Sequence, residues 1–270
     1  MLDTETTRCH RRRLILLQRL SMVFLLLICI TSDYFLYQHV YLLDYKLFRH
    51  WVDSVAHGSV AFFSWAIFLL EIEKIAKTGD ASFSIRQLLK KCFFNGIIAS
   101  LLDIDHFISA RTLSIAGATH LKGRPFGHTV TFIIVVVLLV GWCSRRLQAD
   151  KRYYRICFIV IAWFSHQLRD GIRHGLWFWP FGSTPPINYF LYVLMEEGLP
   201  FVMEKWWRKV STPTSMAKVE LIFPKVEETI DLEAGEEVNS SNEEEDARLL
   251  LSADEDQDIE VLELSKETIR

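Results

Sequence analysis

Apolar residues along this chain gather in six long runs, residues 20–38, 52–72, 92–110, 129–147, 156–177 and 189–207, separated by short polar or basic stretches. A helix that crosses a bilayer needs about 20 mostly apolar residues, because the hydrocarbon layer is about 30 Å thick and each residue rises about 1.5 Å. No water reaches the backbone at that depth, so a helix is the form such runs take outside a closed barrel. The pattern therefore predicts an all-α fold, a multi-pass transmembrane helical bundle of about six helices. Glu196, Glu197 and Pro200 interrupt the sixth run and make it the weakest; a re-entrant or interfacial segment is its alternative form. The expected organisation is a basic cytosolic N-terminus over 1–19, a membrane domain over 20–208 and an acidic cytosolic tail over 209–270.

Charge adds a direction. The net value of −3 averages a basic first part with an acidic last one. Arg8, Arg11, Arg12, Arg13 and Arg19 precede the first run. Lys74, Lys77, Arg86, Lys90 and Lys91 separate the second from the third, and Arg145, Arg146, Lys151, Arg152 and Arg155 the fourth from the fifth. Lys205, Arg208, Lys209 and Lys218 follow the sixth, whereas Lys46 and Arg49, then Arg111, Lys122 and Arg124, mark the sparser alternate connections. Because cytosolic loops hold the excess of Lys and Arg, six spans with both termini cytosolic are expected. Trp51, Trp177, Trp179, Trp206 and Trp207 fall at run boundaries, where amphipathic rings settle. The basic residues thus read as topology. Nothing in their pattern points to nucleic acid, and membrane lipids are the expected partners.

The first run follows Arg11, Arg12 and Arg13 as a signal peptide would, but it continues past Ile30 to Tyr34 and Tyr37 with no small-residue cleavage site. An uncleaved signal-anchor helix is expected. Cys9, Cys29, Cys92, Cys143 and Cys157 form no Cys-x-x-Cys pair and lie mostly in or beside apolar runs, so they read as small hydrophobes and not as a disulfide framework. Beyond about Ser211 apolar residues are too few to offset the entropy of ordering, and disorder is expected. Glu245 with Leu249 and Leu250 has the spacing of an acidic dileucine signal, which a cytosolic sorting adaptor would read; chance is the rival explanation. Ser240, Ser241 and Ser252 precede acids as phosphorylation sites do, and the sequon at Asn239 would stay unused in the cytosol.

The candidate chemistry lies where ionisable residues enter the apolar runs, because such residues are costly there and usually face a partner, a cavity or an ion. His57 follows Asp53 by four positions near the start of the second run. Asp103, Asp105 and His106 close the third, His128 opens the fourth, and His166, Asp170 and His174 occupy one face near the end of the fifth. With alternating helix direction, all four groups reach the same, non-cytosolic, side. Imidazole and carboxylate are ligands of zinc, manganese and iron, and paired carboxylates are found in two-metal hydrolytic sites. Each group also has a plain structural reading. His57 can bond to Asp53 in a core, Asp105 and His106 can cap a helix, His128 can sit idle at an interface, and Asp170 can pair with Arg169 or Arg173. Arg124 and Arg173 are candidates for a cationic clamp on an anionic group such as phosphate, or for solvated loop charge.

Several blocks resemble a known family. They are Leu102, Asp103, Ile104, Asp105 and His106; Arg124, Pro125, Phe126, Gly127, His128 and Thr129; Ser165 and His166 through Asp170; and Gly171 through Trp177 with Pro180, Phe181 and Gly182. Together they resemble the eukaryotic transmembrane protein 267 family over roughly residues 33–200. The same blocks are similar to the bacterial YdjM-like membrane-bound proteins, described as metal-dependent hydrolases. His57, Asp103, Asp105, His106, Arg124, His128, His166 and Asp170 match that wider pattern in order. Gly123 stands where it has a His, Gly127 where it has a Thr, and Thr129 where it has a Ser. The missing His implies fewer metals, a different metal or a lost activity. The resemblance implies a divalent metal, zinc or manganese, held by His57, Asp103, Asp105, His106, His128, His166 and Asp170, with His174 as a further candidate. A metal-dependent hydrolase acting at the lumenal or exterior face is the expected function. The alternatives are a divalent-metal transporter and a non-catalytic trafficking or scaffold protein.

Overall fold

The computed structural model describes residues 2–38, 46–75, 84–114, 117–118, 121 and 123–211. The acidic tail, with Glu245, Leu249 and Leu250, lies outside the described residues, as does Lys122. Helix α1 covers Leu2–Gln38, α2 Lys46–Ile75 and α3 Ile85–Ser100. A 3-10 turn, Leu101–Asp103, joins α3 to the short α4, Ile104–Ala110. Then come α5, Val130–Cys143, α6, Ala149–His174, and α7, Tyr189–Val210. Between α6 and α7 sits a small antiparallel ribbon of β1, Trp177–Phe178, and β2, Gly182–Ser183. The fold is an all-α bundle, as the run pattern predicts, with α3 and α4 together filling the third position.

Helix limits differ from the apolar runs for local reasons. Neither Gly nor Pro occurs between Leu2 and Gln38, so α1 takes in the whole basic segment. Helix α6 stops at His174 because Gly175 turns to φ +72°, and a Cβ there would meet the Thr184 carbonyl oxygen at 1.9 Å. Trp177 consequently belongs to the ribbon and not to the helix. Pro200 lies inside α7, where it removes one backbone donor.

Among the described residues, three segments, Arg8–Leu36, Phe48–Lys74 and Ile85–Ala110, are long and apolar enough to cross a membrane. The α5 helix is strongly apolar, but its 14 residues rise only about 21 Å. Of the three long segments α2 is the central one: 67% of its apolar window is buried, against 22% for α1 and 28% for α3. Trp65, Phe68, Leu69 and Ile72 of α2 form the main core with Cys157 and Ile161 of α6 and Trp207 of α7. Ile134, Val135, Leu138 and Leu139 of α5 stay exposed, an outward apolar face suited to lipid.

Helices α2 and α3 cross at backbone contact. A Cβ on Gly96 would stand 2.6 Å from the Gly58 carbonyl oxygen, and one on Gly58 would meet Ser100 Oγ at 2.5 Å. Small residues at a crossing are how helices without a hydrophobic driving force between them pack closely. One turn on, Ser100 Oγ donates to the Ser54 carbonyl at 2.7 Å, and Ser54 Oγ donates to Asp103 Oδ2 at 2.6 Å. The crossing therefore sets the distance between His57 on α2 and Asp103 after α3. Replacing Gly96 with Val is expected to destabilise the bundle by about 1–3 kcal/mol through overpacking. Gly198→Ala, where an added Cβ meets nothing within 4 Å, should not. Thermal unfolding of the two variants in one detergent checks the contrast.

Candidate metal centre

The four groups of ionisable residues meet at one end of the bundle. His166, wholly buried on α6, has its Nδ1 3.0 Å from the Ala99 carbonyl of α3. A carbonyl only accepts, so Nδ1 holds the proton and Nε2 presents a lone pair. His128, buried at the end of the 3-10 turn Phe126–His128, has its Nδ1 3.0 Å from Asp105 Oδ2. The carboxylate accepts a hydrogen bond from Nδ1–H, which leaves the His128 Nε2 bare as well. The two Nε2 atoms face one another at 3.1 Å. Two lone pairs at that distance require a cation between them, either a proton or a metal ion.

Carboxylates flank the pair. Asp103 Oδ1 lies 3.4 Å from His166 Nε2 and 3.6 Å from His128 Nε2. Asp170 Oδ2 lies 3.6 Å and 3.4 Å from the same two atoms. Burial works against a charged His128, but the carboxylates of Asp103, Asp105 and Asp170 outweigh it and raise its pKa to about 10. Ligands on a tetrahedral ion with bonds of about 2.0–2.1 Å sit about 3.3–3.4 Å apart. The five separations around the histidine pair bracket that edge. The donor set fits a divalent ion in chemistry and in spacing.

His57 extends the centre. Its ring stacks on that of His166 with centroids 3.7 Å apart, and its Nε2 lies 3.5 Å from Asp170 Oδ1. Asp170 is therefore shared, one oxygen toward His57 and the other toward the His128–His166 pair. His57 Nδ1 is buried with no hydrogen-bond partner among the described residues. Ligand atoms lie within 4.8 Å of one another in three sets: His57, His166 and Asp170; Asp103, His128 and His166; Asp105, His106 and His128. His106 Nδ1 approaches the Ala118 carbonyl at 3.3 Å, and its ring meets that of His128 edge-on with centroids 4.7 Å apart.

Seven of the eight residues singled out in the sequence come together, and His174 does not. It ends α6 one turn beyond Asp170, exposed, and joins none of the three sets. The spacing of four that aligns it with Asp170 also lifts it out of the bundle at the helix terminus. Asp53 is not the dedicated partner of His57, whose Nε2 is 3.9 Å away. It holds both arginines instead. Arg169 Nη1 donates to Asp53, Arg173 reaches both Asp53 oxygens at 3.1 Å, and Arg169 Nη2 donates to Asp33 Oδ1 at 3.2 Å. This network ties α1, α2 and α6 together directly beside the centre.

Asp33, Ser54 and Ala99 have parts in the site that sequence reading does not assign. A signal for the first was present: an Asp inside the apolar run of α1 and an Arg inside α6 are opposite charges that a low-dielectric interior forces to pair. Arg124 belongs to the loop before His128 and donates to the Gly175 carbonyl at 3.0 Å. Burial lowers its pKa and the nearby Asp170 carboxylate opposes the shift, which places its charge within electrostatic reach of the centre.

A family model, the YdjM inner membrane protein, matches residues 52–223, which include every residue of the three sets. The chain belongs to this family. Among curated proteins, this YdjM family member is 36% identical over 166 residues to transmembrane protein 267 of Mus musculus, an alignment that covers 59% of the chain and 72% of the mouse protein. It is 34% identical to the Xenopus laevis protein of that name, over 65% of the chain and 76% of the frog protein. The Danio rerio protein is 33% identical over 64% and 72%. No solved structure matches the chain.

Gly127 now has a physical reason. A Cβ on it would stand 2.5 Å from Asp105 Oδ2, the oxygen that accepts the hydrogen bond from His128 Nδ1–H. Asp53→Ala would leave Arg169 buried with one carboxylate fewer and is expected to destabilise the protein by about 3–5 kcal/mol. Asp53→Asn, which keeps one acceptor oxygen, should cost less. Chemical or thermal unfolding of both variants measures the difference.

Proposed function

We propose that this membrane protein is a metal-dependent hydrolase, with a zinc or manganese centre open at the non-cytosolic face of a six-span bundle whose termini are both cytosolic. The facing Nε2 atoms of His128 and His166 support this most directly. Each imidazole is fixed by an acceptor at Nδ1, so both lone pairs are aimed at one point between the Asp103 and Asp170 carboxylates. Outer partners of this kind orient histidines for metal and raise their basicity. His128, His166, Asp103 and Asp170 would hold the ion, with His57 on the far oxygen of Asp170. A divalent ion there would polarise the scissile group and lower the pKa of a bound water.

The chain's own residues supply the rest. Asp105 and the Ala99 carbonyl hold the tautomers of His128 and His166. Ser54 holds the second oxygen of Asp103 and leaves the first to face the histidines. Arg124 places a cation beside Asp170, suited to an anionic group such as a phosphoester, and the site's position at a helix-bundle end suits a lipid-borne substrate. The transporter alternative is less favoured because paired ligands at one end of a bundle do not form the midplane site that alternating access needs.

Elemental mass spectrometry of the detergent-purified protein, loaded with zinc or manganese and washed, provides the test. One or two ions per chain are expected in the wild type. Asp103→Ala and His166→Ala should lose them, and His174→Ala should keep them. Hydrolysis of a fluorogenic phosphoester in mixed micelles should follow the metal, falling by at least about a hundredfold in the first two variants. A folded wild type that retains no metal after loading would falsify the reading.

A further inference from the structure

A second feature lies at the opposite end of the same helices. Asp103 follows the end of α3, His128 precedes α5, and His166 and Asp170 are near the end of α6. The other ends of these three elements, the first half of α3, the end of α5 and the first turns of α6, enclose a groove of about 520 Å³. Helices α3 and α5 both pack on α6 and leave this space between them. Its walls are apolar, with Phe94, Val140 and Phe158 among the lining residues, while Lys91, Ser144 and Arg155 supply its polar groups. Among the described residues, no carboxylate lines it.

The groove is built and not a gap in loose packing. Phe94 and Phe158 stack with centroids 5.6 Å apart, and Asn95 Nδ2 donates to the Phe158 carbonyl at 3.0 Å, locking α3 to α6 behind it. Arg155 is exposed, with Nη1 3.5 Å from Ser144 Oγ, and can turn to a ligand at the rim. Glu73 of α2 lies within electrostatic range of Lys91, so Arg155 is the stronger anion partner of the two. Arg145 and Arg146 follow the lining Ser144 directly in the chain, with Arg145 over the Trp142 ring at 4.1 Å, and Arg152 precedes the lining Tyr154 by two residues. Apolar walls that open to the outward face of the bundle, with cations at one end and a basic surround, match one kind of molecule. It has an acyl chain to lie along the phenylalanines and an anionic headgroup to meet the arginine.

We propose that this groove is a binding site for an anionic phospholipid of the surrounding bilayer, with the headgroup phosphate at Arg155 and Lys91 and one acyl chain along Phe94, Val140 and Phe158. The site stands apart from the metal centre and does not depend on that centre's function. Juxtamembrane cations attract anionic lipid headgroups strongly enough for two of them to give more than a tenfold preference.

The test offers the full-length protein, in mixed micelles, equal amounts of phosphatidylserine and phosphatidylcholine with identical acyl chains. Retained lipid is then counted by native mass spectrometry. The wild type should keep about one phosphatidylserine per chain, enriched at least about tenfold over phosphatidylcholine. Lys91→Gln with Arg155→Gln should bring the two lipids near parity. Val140→Trp, which fills the groove, should lose both. Unfolding temperature verifies that each variant is folded, and the charge variant stands as a test should the bulky one fail. Equal enrichment in wild type and charge variant would overturn the proposal. So would undiminished lipid in a folded Val140→Trp variant, a second copy of the chain held there instead of lipid, or a hydroxylamine-sensitive acyl group on Cys143 filling the space.

Discussion

Charge in a low-dielectric interior has to be answered locally, and this bundle is arranged around that requirement. Arg169 is almost wholly buried on α6, and leaving such a cation unpaired costs about 3–5 kcal/mol, as much as the loss of a large core side chain. Its partners come from two other helices, Asp33 on α1 and Asp53 on α2, and Arg173 closes the group from the next turn of α6. The network fixes the rotation of three helices at once. With Asp53 engaged by arginine, the helix turn that carries it also presents His57 to Asp170 and His166. The position of the histidine stack depends on the ion pairs beside it.

Close backbone approach carries this arrangement to the third helix. The Gly58–Gly96 contact brings α2 and α3 together, Ser54 and Ser100 bond across it, and Asp103 follows within one turn. The loop before α5 is likewise fitted to its neighbour, because Gly127 leaves room for the Asp105 carboxylate. Irregular backbone is tolerated at the end of a membrane bundle where protein covers it, and Gly127, His128 and Thr129 are all buried. The centre is thus held by elements whose own polar groups are committed elsewhere, which leaves the Nε2 lone pairs and inner carboxylate oxygens to face one another.

The bundle has two chemically distinct ends. One gathers histidines and carboxylates, attracts cations and is lined by helix termini. The other combines apolar walls with arginines and lysines and attracts anions. The same three elements, α3, α5 and α6, contribute to both, so a change in how α3 and α5 lean on α6 would be felt at each.

By itself the sequence determined the class of fold and singled out the ionisable residues that the bundle gathers at one end. Runs of about 20 apolar residues admit little but helices in a membrane, and ionisable residues inside those runs are too costly to be incidental. That reasoning found His57, Asp103, Asp105, His106, His128, His166 and Asp170 without any contact being known. It could not separate the parts they take, because parts are set by which nitrogen meets which acceptor. Only the tertiary structure decided that Asp105 orients His128, that Asp53 belongs to the arginines, and that Asp33 joins them from a distant helix. Helical spacing also placed His174 with Asp170, but periodicity describes a face and not where the bundle ends, and the terminus at Gly175 leaves His174 in the open. The apolar groove was beyond reach for the same reason: its walls come from three segments whose separation no linear pattern records.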